Sequence, residues 1–369
     1  MAYRKYKLGD LVEQYDEINL NGEFTDIDDL QGINSNKYFQ ECKSNKNDID
    51  LYRYRICRHR MFSYNRATSR NGEKISIALR TGDDCIVSPS YYCFRVKDEK
   101  VLCPEYLDIW FKRPVFDRYA RFNSWGSATE FFTFDDFCAT EIMLPPIEEQ
   151  RKIVHDYQVI TDRIVLLQKM NKKLEELLYA EFQRNFQAGK EAALKGTPFD
   201  GWEIKELSVL TDFQYGKMVP EEERREKGYP IFSGYGITGY YHEYMFEDPR
   251  IIVLARGVSG TGEVRISPKF SYITNLSIAL TLKDEGFFAY LYEYLAHDNL
   301  RALDSGSAQS MITIDSLNKY LIAVPPKEKA VEYDRSFRVV HELIEANSDE
   351  LETLNQLSSY QLQRLAKGA

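Results

Sequence analysis

Between Leu144 and Phe186, Ile153, Tyr157, Ile160, Ile164, Leu167, Asn171, Leu174 and Leu178 recur at alternating steps of four and three. That spacing keeps one stripe on one side of an α-helix, and a stripe that repeats every seven residues forms a coiled-coil seam. Pro145 and Pro146 stand at the start, where a missing N–H costs little, and Glu148 and Glu149 suit the positive end of the helix dipole. No Gly or Pro interrupts the pattern before Gly189. The pattern predicts one long helix. Taken alone, the stripe would serve equally for an ordinary amphipathic helix lying on a core.

The same stretch occurs twice. Moving 180 positions along carries Gly126-Ser127-Ala128 onto Gly306-Ser307-Ala308, and Thr133 and Asp135 onto Thr313 and Asp315. Leu144-Pro145-Pro146 becomes Val324-Pro325-Pro326, Glu148 becomes Glu328, and Ile164, Leu174 and Leu177 become Ile344, Leu354 and Leu357. Repetition at a fixed period marks a duplicated unit, here a variable domain followed by a long helix. The expected class is α+β: two α/β domains separated by two long antiparallel helices in a coiled coil, with an internal pseudo-two-fold repeat. The domains are set at 1–147 and 191–326, the helices at 148–190 and 327–369. Within the seam, pairing residues whose numbers sum to 518 puts Ile164 with Leu354, Leu167 with Leu351, Asn171 with Asn347, Leu174 with Ile344 and Leu178 with Val340. A shift by one heptad would bury each Asn against an aliphatic side chain, so the Asn pair fixes this register.

The variable domains read as short strands and helices. Strand-like runs are Leu51–Cys57, Lys74–Leu79, Cys85–Ser88 and Tyr91–Val96 in the first, and Ile251–Ala255, Glu263–Ile266 and Ser277–Leu282 in the second. Single helices are expected over Pro104–Tyr119 and Phe287–Leu300, and a polar linker over Gly189–Asp200.

Composition narrows the function. The start lacks the apolar run of a signal peptide, and the longest apolar run, Ile251 to Ala255, is far too short to span a bilayer. The six Cys form no CxxC pair and the five His show no metal-ligand spacing, so reduced thiols in a cytoplasmic protein are expected, without a structural metal. The net charge of −9 argues globally against nucleic acid, but charge is uneven. From Leu51 to Arg80, Arg53, Arg55, Arg58, Arg60, Arg66, Arg70, Lys74 and Arg80 face one acid, Glu73. Such a run is either a solvated strand face or a local phosphate-binding surface.

Two glycine-rich stretches carry possible chemistry. Phe232-Ser233-Gly234-Tyr235-Gly236 matches the F-x-G-x-G pattern of S-adenosylmethionine cradles, but the D/N-P-P-aromatic loop that an adenine methyltransferase also needs is absent, and a turn-rich loop is the expected structure. Gly257-Val258-Ser259-Gly260-Thr261-Gly262 lacks the Lys-Ser/Thr of a P-loop and is expected to be a hairpin turn, with Arg256 beside it to meet a DNA phosphate. No nucleophile–base set is evident.

Two variable domains, each leading through a P-P lead-in to a long helix, resemble the specificity subunit of type I restriction–modification enzymes. Glu149-Gln150, Ile153, Asp162, Ile164 and Leu174-Glu175-Glu176-Leu177 match that family's helix signature. Leu30-Gln31-Gly32-Ile33, Tyr64-Asn65-Arg66 and Val87-Ser88-Pro89-x-Tyr91 resemble one class of its target recognition domains. The second helix departs from the signature, with Lys329-Ala330 where the first has Glu149-Gln150. The resemblance implies a non-catalytic subunit in which each recognition domain reads one half of a split double-stranded DNA site. It implies that the helices set the spacing and dock methyltransferase subunits, which motor-nuclease subunits join. S-adenosylmethionine, ATP and Mg would sit on those partners, with no cofactor or metal in this chain and no membrane contact. Polar or aromatic residues at turn-like positions are the expected DNA contacts: Tyr64, Asn65, Arg66, Arg70, Ser88, Tyr91 and Ser127 in the first domain, and Tyr235, Tyr240, Arg256, Ser259, Asn275, Ser307 and Gln309 in the second. The competing readings are a reader serving a fused methyltransferase–nuclease of another restriction class, an S-adenosylmethionine-dependent DNA methyltransferase in its own right, and a coiled-coil scaffold without DNA contact.

Overall fold

The computed structural model describes residues 3–42, 49–68, 74–127, 129–257, 260–304 and 311–367 of the 369. The heptad stripe forms one helix, Ile147–Leu194, and its repeat forms another, Lys327–Lys367. The first helix runs through Gly189, where the linker was expected to begin. Gly189 is there for space, since a Cβ would lie 2.2 Å from the Trp202 ring. The helix stops at Leu194, five residues later. Gly196 takes a φ of +70°, its N–H donates to the Ala193 carbonyl, and the Thr197 N–H donates to that of Ala192, the crossed pair of bonds that closes helices at a left-handed glycine. The chain folds into two compact units, Met1–Leu167 with Glu350–Ala369, and Gln168–Asp349, so each unit holds part of both long helices.

In the first unit an antiparallel four-stranded sheet runs in the order Val12–Gln14, Tyr91–Val96, Phe62–Asn65, Ile77–Leu79. Helix Pro104–Phe111 packs on it, and Phe62, Phe94, Phe111, Phe116, Phe132 and Phe137 fill the space between, with Phe62 and Phe94 stacked at 4.9 Å. The helix expected over Pro104–Tyr119 is two, Pro104–Phe111 and Pro114–Phe122. Pro114 disfavours the helical conformation for the residue before it, and Arg113 accordingly adopts an extended ψ of 135° and leads into the second helix. The strand expected over Leu51–Cys57 is shorter, Arg55–Cys57, behind a 3-10 turn at Leu51–Arg53.

The second unit repeats this sheet in the order Thr211–Tyr215, Ser277–Leu282, Ile251–Leu254, Val264–Ile266, again antiparallel throughout. Helix Phe288–Ala296 takes the place of Pro104–Phe111. The duplicated unit of variable domain and long helix therefore includes this sheet, where the constant shift of 180 no longer aligns the two copies. That shift holds from Phe132 and Ile312 onward, whose N–H groups donate to the carbonyls of Arg66 and Ala255. Upstream it slides: Tyr91 corresponds to Ser277 (186 apart), Arg66 to Ala255 (189) and Arg4 to Glu203 (199). The loops between sheet strands absorb the difference. In the first unit they form the hairpin Gln31–Ile33 with Phe39–Glu41 and the pair Arg55–Cys57 with Cys85–Val87. In the second they form Ile237–Tyr241, Tyr229–Phe232 and Tyr272–Ile273.

The two long helices lie antiparallel within each unit. In the first, Arg163 pairs with Glu350 at 2.7 Å, and Val154 and Tyr157 share a core with Leu362 and Leu365. In the second, Asn347 donates its side-chain amide to Asn171 Oδ1 at 2.7 Å, which is the Asn–Asn layer expected from the seam. Asn171 in turn reaches the Ser348 hydroxyl at 3.3 Å. Leu178 and Phe182 pack into the core shared by Tyr333, Phe337 and Val340.

Candidate nucleic-acid interface

In the first unit, strand Phe62–Asn65 continues to Ala67, which bridges Phe131, and Phe131 bridges Trp125 through two backbone hydrogen bonds of 2.9 and 3.1 Å. Directly opposed residues of an antiparallel bridge place their side chains on one face. Between them, Gly126 has a φ of +150°, and a Cβ there would lie 2.0 Å from the Thr129 carbonyl oxygen, so the turn admits only glycine. The turn presents Trp125, 68% exposed, and exposes Ser127. The Arg66 guanidinium lies 5.2 Å from the Phe131 ring and 5.9 Å from that of Tyr92, with no carboxylate in ion-pair reach among the described residues. Asn65 faces Tyr91 across the strands, and its Oδ1 accepts from the Ala67 N–H at 3.0 Å.

The corresponding corner of the second unit shares one backbone bridge and differs in side chains. Arg256 bridges Met311 as Ala67 bridges Phe131. Arg256 is exposed and has no acidic partner among the described residues. The Phe232–Gly236 segment is the turn of the hairpin Tyr229–Phe232/Ile237–Tyr241, with Gly234 at a φ of +77° and the Ser233 N–H donating to the Gly236 carbonyl. It sets Tyr235, 52% exposed, over the other glycine-rich loop: a Cβ on Gly257 would lie 2.1 Å from the Tyr235 hydroxyl, and one on Gly260 2.7 Å from its ring. Asn275 is half-buried at the same end of the sheet, where the Arg256 N–H donates to the Leu276 carbonyl. Residues Gly260–Gly262 turn between Ile251–Leu254 and Val264–Ile266, as the hairpin reading required.

Not every expected contact gathers there. Tyr64 is a correction: it is 0% exposed, stacked on Phe137 at 5.2 Å, with its hydroxyl 3.4 Å from the Phe132 carbonyl, and offers DNA no surface. Burial pushes its phenol far above the usual range. Tyr91 is half-buried against the cluster of Cys57, Met61, Cys85, Val87 and Cys93, and Ser88 bonds Ser90 at 3.0 Å in the turn before it. Tyr240 pairs with Pro230 along the hairpin, away from its turn. Arg70, Ser259, Ser307 and Gln309 lie outside the described residues.

Most of the basic run is committed internally. Arg53 pairs with Asp50, Arg55 with Asp16, and Arg60 with Glu99 and Glu105. Arg58 meets Glu17 at 2.5 Å, Asp84 at 3.1 Å and Glu23, and its hydrogen bonds hold the Glu17 and Glu23 carboxyls below the ordinary carboxylate range. Arg66 and Lys74 are exposed without an ion-pair partner among the described residues, and Arg66 lies beside the Phe131 ring. Trp125, Phe131 and Phe122, also exposed, were missed by the sequence reading. Their one signal was the position of Trp125 beside the repeated Gly-Ser-Ala stretch.

The family described as the type I restriction modification DNA specificity domain matches twice, over residues 6–176 and 200–356. The chain belongs to that family. Each matched segment holds one four-stranded sheet, its aromatic–arginine corner and the start of one long helix. Among curated members, a putative type I restriction enzyme MjaX specificity subunit of Methanocaldococcus jannaschii is 24% identical over 238 residues, 58% of this chain and 55% of that protein, so the chain spans little more than half of that relative's length. The type I restriction enzyme MjaIX specificity subunit of the same organism is 24% identical over 296 residues, 72% of this chain and 68% of that one. The crystal structure of the type I restriction–modification system S subunit from M. genitalium shares the fold, with a TM-score of 0.67 at 17% identity, covering 99% of this chain and 96% of that one. No helix among the described residues is long and apolar enough to cross a membrane.

Proposed function

We propose that this chain reads double-stranded DNA for a type I restriction–modification complex, one half of a split site per unit, and does no chemistry itself. The observation that carries this reading is the doubled corner: two specificity domains of different sequence end the same sheet strand beside an exposed aromatic and an arginine without an acidic partner. Arginine N–H groups suit phosphates and guanine edges, while aromatic faces suit bases. The long helices are the frame that spaces the two readers and the dock for methyltransferase subunits, with motor-nuclease subunits joining the assembly in the cytoplasm. S-adenosylmethionine, ATP and Mg belong to those partners, and the flipped adenine to the methyltransferase pocket. The Phe232–Gly236 segment is a hairpin turn packed on Leu254 and Gly257, the turn-rich loop expected for it, which supports a reader over an S-adenosylmethionine-dependent enzyme.

The test is a domain exchange. Residues 202–322 are replaced by another recognition domain, and the methylome of a host carrying the chain with its partner subunits is sequenced. One half-site should change and the other persist. Alteration of both half-sites, or saturable S-adenosylmethionine binding by the isolated wild-type chain, would sink the proposal.

A further inference from the structure

Trp125 is the most exposed of the chain's three tryptophans; Trp110 is buried and Trp202 partly so. Single exposed aromatics are ordinary, but exposed apolar side chains gathered at one place mark an interaction surface, and here Trp125 is bridged to Phe131, with exposed Phe122 close by in sequence. The presentation is rigid. Two backbone hydrogen bonds to Phe131 fix Trp125, and Gly126 sharpens the turn to the point where any side chain would strike the Thr129 carbonyl. Arg66 lies against the Phe131 and Tyr92 rings, which pre-orients its guanidinium, and its N–H groups meet no acceptor among the described residues. In the second unit the same bridge carries Arg256, and Tyr235 is propped over Gly257 and Gly260 by a different loop. Two unrelated loops thus arrive at one device, a fixed aromatic beside a free arginine.

We propose that each aromatic engages bases by their faces: Trp125 in one half-site and Tyr235 in the other stack on or between base pairs, while Arg66 and Arg256 hold the flanking phosphate. This inference rests on the DNA-reading function proposed above. An uncharged ring face gains little from phosphate but much from an unstacked base, and a ring wedged at a base step selects sequences that deform easily. Each half-site is then read partly through its deformability at a step that receives no base-edge hydrogen bond.

The experiment uses the full chain assembled with its partner subunits. 5-Fluorotryptophan is placed in this chain only, and the DNA is a duplex carrying the site found by methylation mapping. The Trp125 fluorine resonance, assigned by its loss in Trp125→Phe, should shift when the duplex is added. Trp125→Ala should lower affinity on the order of tenfold, the size of one lost stacking contact, without changing the slope of log affinity against log salt. Arg66→Ala should reduce that slope by about one, the signature of a lost phosphate contact. Trp125→Phe should keep most of the affinity, and Tyr235→Ala should act on the other half-site. An unshifted resonance together with full affinity in Trp125→Ala overturns the inference, as does loss of assembly with the partner subunits, which would make the patch a protein dock. Absence of any selective binding by the wild-type complex would instead overturn the DNA-reading proposal itself.

Discussion

His297 shows how one side chain ties the second unit to the first long helix. It follows helix Phe288–Ala296 and stacks on Tyr179 of the first long helix at 3.6 Å between ring centres. Its Nδ1 lies 3.1 Å from the Glu293 carbonyl and 3.2 Å from the buried Glu293 carboxylate. Burial alone would lower the imidazole pKa, but the hydrogen bonds and charge of Glu293 outweigh it and the nearby Lys190, so the net direction is upward. A folded value above the unfolded one adds stability that is fully present below the unfolded pKa, about 6.5, and is lost as pH rises through the folded value. His297 should therefore make a contribution to the thermal midpoint that falls as pH rises above about 6, opposed by His341, whose imidazole pKa is held below its ordinary value by burial, and His297→Gln should remove that fall relative to the unaltered chain. Thermal unfolding across this range at constant ionic strength is the check. An equal slope in the variant would mean that His297 does not carry the charge that meets Glu293.

At the scale of elements, the Asn171–Asn347 layer is the testable part of the helix pair. Asn347 is 6% exposed, so replacing Asn171 by Leu leaves its amide buried with no partner side chain across the seam. The expected cost is about 1–3 kcal/mol. Replacing both by Leu should recover most of that loss, since neither amide is then left unmet, but should weaken the preference for one register. Denaturant unfolding of the two single variants and the double variant decides the matter: purely additive effects would show that the two amides do not act as a pair. Other elements were harder to bound from sequence. The break at Pro114 was legible in principle, because proline restricts its predecessor, yet the apolar spacing of Leu107, Trp110, Phe111 and Phe116 concealed it. Gly189 looked like a helix end only because the side chain that fills its space, Trp202, arrives from beyond the turn.

For the whole molecule, the proposed ruler makes the sharpest demand. The first long helix has 48 residues. One heptad inserted into each long helix beside the Asn171–Asn347 layer keeps the seam in phase. It lengthens each helix by about 10.5 Å at ~1.5 Å per residue. That corresponds to about three base pairs at roughly 34 Å per turn of DNA. Both half-sites should keep their sequences while the gap between them grows by about that amount. Three base pairs also turn the duplex by roughly a third of a revolution while a heptad barely rotates the coil, so activity should weaken. Methylation mapping of the variant reads the spacing, and full activity at the original gap would show that the helices do not measure it.

The sequence by itself determined the long helices, their repeat and the Asn layer, because periodicity and a seven-residue seam are local properties that packing only has to accept. It also determined the duplication wherever no gap intervened. Only the tertiary structure decided that the variable domains repeat one sheet, since loops of unequal length hide the correspondence of Arg66 with Ala255. Only the tertiary structure separated the aromatics and the arginines. Tyr64 and Trp125 are both large aromatics near turn signals, yet one faces the core and the other stands clear of it. Arg58 and Arg66 lie in one basic run, yet the first is held by carboxylates at positions 17, 23 and 84 and the second by none among the described residues. The physical reason is that exposure and free charge are set by residues brought together from distant parts of the chain, and no local pattern records which of them arrive.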